Sequence, residues 1–393
     1  KMNEVIMKIG NDNGNSEHDI KINGKLINQP NVYAKVRKLP NFDEVNKDYV
    51  LKNIENNLIV TCEDPSGIYY LGNYALKSGK TVRSIEIGID NNKVENDIIF
   101  INTLAEIAGY AAVEHFNIVG NFNDIILTKV DMTTSLPVSY YSHKKALEFS
   151  NKFLEKKHMV TVHIGNSDAR VEIEFTFVKT IPEGVTATFA LKDATKELFE
   201  EHNKKYNDNV NKDIFQNAKV LHVAIGEGTT EYPITNGIEF NPEFIQGTNN
   251  GVGHAIDKAL EEFKTAKGLS KFTRQDYSEV IKDKNHKFHE LALELVEQYI
   301  EEQAEEILIH AKQEIQKANN DIDVVCVYGG GSILMRKSLE QNLRKFCDRA
   351  EIKLFYVPKE YAINLECEGL YNFTNSKIFS TLKNRSKIGR AHV

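Results

Sequence analysis

The residues best placed to do chemistry cluster at three glycine turns. At 226–230 the chain reads Gly-Glu-Gly-Thr-Thr, directly after an apolar run at 220–225, and a second strand-like run follows at 229–235. Two strands joined so tightly form a hairpin. Glycines at Gly226 and Gly228 strip the turn of side chains, so backbone N–H groups can converge on an anion. Thr229 and Thr230 add hydroxyl donors, and the turn predicts a phosphate cradle; an ordinary hairpin turn is the other reading of the same residues. A second strand–turn–strand unit opens the chain, where a short apolar strand at 5–9 runs into Gly10-Asn11-Asp12-Asn13-Gly14-Asn15 and alternation resumes at 20–22. Asn-Gly is a common hairpin pair, but a turn alone does not explain an acid, Asp12, at the strand's end. The third turn, Gly329-Gly330-Gly331-Ser332, lies between a buried-type strand at 324–328 and a helix predicted over 333–346. Strand, glycine turn and helix N-terminus make a corner suited to a nucleotide or phosphate. The pattern is not GxGxxG, which argues against a dinucleotide site. Glu183, held between Pro182 and Gly184, is a candidate general base or water-positioning group, and also reads as a surface Glu in a turn.

The elements around these turns follow from periodicity. Leu104, Ile107, Ala108, Ala111 and Ala112 are spaced for a buried helix over 98–116, and a strand is predicted at 124–130. A helix over 143–156 follows, then two strands at 159–164 and 170–179 turning at Gly165-Asn166, and a helix over 186–198. Val252, Ile256, Ala259, Leu260 and Phe263 give a helix after Gly251. Residues 285–317 carry the strongest helical pattern of all; as one helix they would span about 50 Å, so a break is expected. A strand at 353–357 and a closing helix near 362–371 complete the list.

At 393 residues the chain is long enough for two or three domains with real cores. Its net charge of −7 argues against general binding to a nucleic-acid backbone. Cys62, Cys326, Cys347 and Cys367 form no CxxC pair, consistent with a reduced setting. No apolar run approaches the roughly 20 residues of a membrane span, so no membrane contact is expected. Lys1 precedes Met2 and is expected to be extraneous, and 386–393 are expected to be a non-native tail.

Taken in order, the strand–Asp-turn–strand, the strand–GxG-turn–strand and the strand–GGGS–helix resemble the actin-like ATPases, and within them the bacterial plasmid-segregation actins of ParM type. The resemblance covers nearly all of 4–375. It implies an α/β fold of the actin, heat-shock chaperone and sugar-kinase superfold, with two related α/β domains around a nucleotide cleft. Domain I is expected at 2–150, with a small irregular subdomain at about 23–80; domain II at 157–355; and a return to domain I at 356–382. Asp12-Asn13-Gly14-Asn15 is similar to the family's first phosphate loop, Gly226-Glu227-Gly228-Thr229-Thr230 to its second, and Gly329-Gly330-Gly331-Ser332 to its adenosine loop. Ser135-Leu136-Pro137-Val138 with Tyr140-Tyr141 resembles the inter-domain connection. Pro182-Glu183 resembles the pair whose carboxylate orients the attacking water.

The resemblance implies ATP (or GTP) with Mg2+, the metal's water shell held by Asp12 and the phosphates by both loops with Asn15. Lys21 would bridge phosphates, and Gly251 and Lys258 would lie near ribose and base. One residue departs from the pattern: the family carries Asp where this chain has Ala224, so weak hydrolysis is expected. The implied function is an ATPase whose ATP-bound subunits polymerise with themselves and, through a DNA-binding adaptor of ParR type, move centromere-like plasmid DNA in the bacterial cytoplasm. The alternatives are a sugar or acid kinase of the same superfold, or a rod-shape cytoskeletal actin.

Overall fold

The computed structural model describes residues 6–42, 45–86, 93–240, 242–244 and 246–390. Val5, at the head of the expected first strand, and residues 391–393 of the expected tail lie outside the described residues. The chain divides into two units, one of Lys1–Leu136, Tyr140–Ile181 and Cys367–Val393, the other of Pro137–Ser139 and Pro182–Glu366.

The first unit is built on a ten-stranded sheet. Its strands are β1 (Ile6–Asn13), β2 (Glu17–Ile22), β3 (Lys25–Pro30), β4 (Val32–Val36), β5 (Ile59–Cys62), β6 (Gly67–Leu71), β7 (Arg83–Ser84), β8 (Ile126–Leu136), β9 (His158–Ile164) and β10 (Ser167–Pro182). They lie in the order β3-β2-β1-β8-β10-β9-β5-β6-β4-β7. β1 runs antiparallel to β2 and parallel to β8, with Gly10 beside Thr133. Because β9 and β10 belong to this sheet, the unit continues to Ile181, past the boundary expected near 150. The segment expected as a small irregular subdomain supplies β3, β4, β5 and β6 to the same sheet, with β5 pairing antiparallel to β9. β5 is short, and its pairing with β9, about a hundred residues along the chain, has no local signature.

Helix Asp97–Val119 packs into this unit with an unbroken buried run from Ile98 to Gly109 that is mostly apolar and includes Asn102, Thr103 and Glu106. The Asn96 side chain caps its first turn and Gly120, at φ 78°, ends it. Gly10 lets helix Leu365–Thr374 lie directly on β1: a Cβ there would fall 2.3 Å from the Tyr371 nitrogen. Thr374 donates to the Ile9 carbonyl at 2.8 Å. A last helix, Lys377–Arg390, runs into the segment expected as a non-native tail. Phe379 buries against Phe177, with ring centroids 5.0 Å apart, and Lys383 reaches Asp131 at 2.6 Å.

The second unit repeats the plan. Its strands are β11 (Lys219–Ile225), β12 (Thr230–Glu231), β13 (Ile234–Asn236), β14 (Glu239–Phe240), β15 (Gly247–Thr248), β16 (Val324–Tyr328) and β17 (Lys353–Tyr356). β11 is antiparallel to β12 and β13 on one side and parallel to β16 on the other, as β1 is to β2 and β8. The second run of the hairpin is split at Tyr232-Pro233, since proline cannot donate to the ladder. Helix His289–Lys317 is continuous over 29 residues, against the expected break; it contains no Gly or Pro, so length alone gives it no reason to stop. The helix expected at 186–198 is two, Ala187–Lys192 and Glu197–Tyr206.

Candidate functional site

In the second unit, glycines of three segments, 226–228, 251–253 and 329–331, meet at the end of β11. The Gly226 N–H donates to the Thr229 carbonyl at 2.9 Å and closes the turn. The start of helix Val252–Lys267 then takes up the loop's carbonyls: Gly251 donates to Gly228 at 3.3 Å, Val252 to Gly226 at 3.1 Å and Gly253 to Glu227 at 2.7 Å. His254 Nε2 adds a bond to the Gly228 carbonyl at 3.0 Å, and must donate there because a carbonyl only accepts. With its carbonyls turned toward the helix, the loop keeps amides for an incoming ligand: the Gly228 and Thr229 N–H groups donate to no protein acceptor among the described residues. That is the electrostatic requirement of an anion nest.

Side chains would break this packing. A Cβ on Gly251 would lie 2.4 Å from the Glu227 oxygen, and one on Gly331 would lie 2.6 Å from Ile225 Cγ2. Gly329 has φ +94°, and a Cβ on it would fall 2.4 Å from the Ile225 oxygen. Gly330 differs: it is exposed, and a Cβ there would meet nothing within 4 Å. It stands at the open N-terminus of helix Gly330–Arg349, the end that attracts negative charge.

The hydroxyls divide in the same way. Ser332 turns inward to the Gly329 carbonyl at 2.7 Å and Thr230 to the Asn250 carbonyl at 3.3 Å. Thr229 is half-buried and is the hydroxyl left at the loop's mouth. Glu227 is tied down by Arg274 Nε at 3.0 Å, and Arg274 also reaches Asp257 at 3.2 Å. Sequence reading missed Arg274 because only the fold brings it to the loop. Lys258, expected near a ribose and base, points to Glu302 at 3.4 Å and the Tyr299 ring on helix His289–Lys317.

Ala224 is half-buried on β11, opposite Glu231 of β12 and beside Tyr328 of β16. Glu183 is half-buried in the same unit. The turn that carries it is fixed at Gly184, whose φ is +82° and whose carbonyl accepts from the Tyr328 hydroxyl at 2.8 Å.

In the first unit, the β1–β2 turn is strapped from outside. Asn31 donates its side-chain amide to the Gly14 carbonyl and its backbone N–H to Ser16, each at 2.7 Å, and Asn102 holds Asn31 at 2.8 Å. Lys93 donates to the Asn13 carbonyl. Beneath the turn lies a buried polar layer in which Asn11 and Asn13 share the Thr103 hydroxyl at 3.2 and 3.1 Å. His18 Nε2 meets Asn11 Oδ1 at 2.7 Å, and burial pushes the His18 imidazole down to about 3, so the ring is neutral. Asp12 and Asn15 remain half-buried at the rim. Lys21 stands opposite Gly10, where the close approach of helix Leu365–Thr374 brings Glu368 within 2.5 Å and the Tyr371 ring within 5.0 Å of its ammonium. Its charge is thereby engaged within the unit.

Among the described residues no group of three His, Cys, Asp or Glu side chains could hold a metal. Asp12 fits the looser task of binding a metal's water shell, as a single carboxylate at a turn rim. No helix among the described residues is long and apolar enough to cross a membrane.

Comparison with known proteins places the fold. The family model "Actin like proteins N terminal domain" matches residues 10–185, and "Archaeal actin homologue MreB-like, C-terminal" matches 222–341. The actin-like protein Alp7A superposes with a TM-score of 0.70 at 16% identity, over 98% of this chain and 100% of that one. Bacillus thuringiensis ParM with ADP gives 0.59 at 16% identity, over 94% and 98%. Ta0583, an archaeal actin homolog, gives 0.63 at 16% identity, over 94% and 99%. A comparison with curated proteins finds no match.

Proposed function

We propose that this chain, which has the actin-like fold, is an ATP-dependent, filament-forming segregation actin of ParM type. The observation that carries the reading is the corner in the second unit, where the loop at 226–230, Gly251, Gly329 and Gly331 pack closely and leave amides and an open helix N-terminus at Gly330 for phosphate. The hairpin at 12–15 repeats that design in the first unit. The backbone amides of each loop suit phosphate, assisted by Asn15 in the first unit and by Thr229 in the second. When bound, Mg2+ neutralises phosphate charge, with Asp12 holding its water. Glu183 orients the attacking water.

Hydrolysis in this chain is slow because Ala224 cannot accept a hydrogen bond from metal-bound water. Nucleotide state then governs assembly: ATP-bound subunits polymerise and ADP-bound subunits separate. The net charge of −7 supports an adaptor of ParR type, rather than this chain, as the DNA contact. Sedimentation and light scattering with Mg·ATP test the proposal. Reversible, nucleotide-dependent polymer supports it; a soluble monomer that phosphorylates a small acceptor would identify a kinase of the same superfold instead.

A further inference from the structure

We propose that Tyr328 and His222 are positioning residues, holding the Pro182-Glu183-Gly184 turn, and with it the Glu183 carboxylate, in register with β11, β13 and β16. The proposal rests on the reading above for Glu183's task and on hydrogen-bond geometry for the rest.

All the participants lie in the second unit. The Tyr328 hydroxyl donates to the Gly184 carbonyl at 2.8 Å, and His222 Nδ1 lies 3.2 Å from the hydroxyl oxygen of Tyr328. Because the tyrosine proton is spent on Gly184, the imidazole must supply its own, which assigns the Nδ1–H tautomer. Nε2 is then an acceptor, and Thr235 Oγ1 stands 2.9 Å from it, with Thr188 Oγ1 at 3.3 Å. Burial pushes the imidazole down to about 3, so this tautomer is not lost to protonation near neutral pH.

The relay runs in one direction, from Thr235 on β13 through His222 on β11 and Tyr328 on β16 to Gly184. Pro233 closes the same circuit from below. Its carbonyl accepts from the His222 backbone N–H at 2.9 Å, and its ring would sit 2.6 Å from a Cβ at position 184. A core built only for stability has no need of this arrangement, since apolar side chains would fill the same space without buried polar groups to satisfy. What the relay provides is one directed hydrogen bond to the residue after Glu183. Loss of that bond leaves a buried carbonyl unpaired and frees the turn to shift, and a small misplacement of a water-positioning carboxylate is costly to rate.

Tyr328→Phe is the test, because it removes the hydroxyl and keeps the ring. Single-turnover ATP hydrolysis, nucleotide affinity and amide hydrogen exchange are measured on wild type, Tyr328→Phe, Glu183→Gln and the double variant. Tyr328→Phe should hydrolyse about tenfold more slowly, with affinity unchanged within about twofold. In the Glu183→Gln background it should cause no further loss, because the two residues act as one unit. Exchange at 184–186 should rise about tenfold while β11 and β16 stay protected. An unchanged rate, or an equal loss in the Glu183→Gln background, would overturn the proposal. A wild type that binds no nucleotide would instead overturn the functional reading; unchanged exchange would then remove the relay as well, and faster exchange would keep it as the holder of the turn.

Discussion

Asp12 and Ala224 occupy the same place in two copies of one design. Each stands two residues before a hairpin glycine, Gly14 or Gly226, on a strand that is antiparallel to the next strand and parallel to a distant one. Asp12 lies opposite Asp19 in the register, and Ala224 lies opposite Glu231. The first unit therefore presents an acid at its loop and the second a methyl group. Restoring the acid should restore chemistry: Ala224→Asp is expected to raise phosphate release from ATP by about 10–100-fold, the usual weight of a group that orients metal-bound water. Equal rates would refute this account of Ala224.

Arg274 anchors the second loop through a largely buried pair with Glu227 at 3.0 Å. Arg274→Ala should lower stability by about 1.5–3 kcal/mol, the range for a hydrogen bond to a charged group, and weaken nucleotide binding through the loosened loop. Urea unfolding and a nucleotide titration check the two effects separately.

These features mark how far the sequence could be read. The runs at 220–225 and 324–328 were legible because apolar strands ended at glycine, and the order of the three turns pointed to the fold the comparisons bear out. Partners brought together by the fold were not legible. Nothing near Lys21 announces Glu368, nothing near Glu227 announces Arg274, and His222 and Tyr328 look like two more core residues of buried strands. The continuity of helix His289–Lys317 follows from the absence of any Gly or Pro in it, a signal that its length masks. Helix Lys377–Arg390 was missed because much of its surface is polar; Phe379 and Lys383 acquire their meaning only against Phe177 and Asp131.

Burial lowers both His18 and His222 from 6.5 to about 3. Below pH 6.5 the unfolded chain takes up a proton at each ring, and the folded chain does not until about pH 3. Unfolding free energy must therefore fall as pH falls through that window, by up to about 1.4 kcal/mol per pH unit per histidine. Urea titrations between pH 7 and 5 should show a shallower decline for His18→Asn than for wild type; parallel slopes would contradict a buried neutral ring.

Burial alone would raise the Asp131 carboxyl, but hydrogen bonds from Lys383, Lys8 and Thr176 outweigh it and hold the group below 3.8. A folded value below the unfolded one gives stabilisation that is present above about pH 3.8 and lost as pH falls through the folded value. Lys383→Met should cost about 1–3 kcal/mol at pH 7, and less once Asp131 is protonated in acid. A variant as stable as wild type at pH 7 would show that helix Lys377–Arg390 contributes nothing through this contact.

Gly330 offers the most direct measurement of whether the glycine corner holds a nucleotide. It is exposed, its side-chain space is open, and it stands at the first turn of helix Gly330–Arg349. Gly330→Leu should leave the melting temperature unchanged or slightly raised, because leucine is the better helix former. The same side chain should fill the space above the loop and weaken ATP binding by at least about tenfold, which is about 1.4 kcal/mol. Titration of a fluorescent ATP analogue into the two folded proteins decides the matter. Tight binding to wild type with loss in Gly330→Leu is the predicted result, and equal affinity would contradict it.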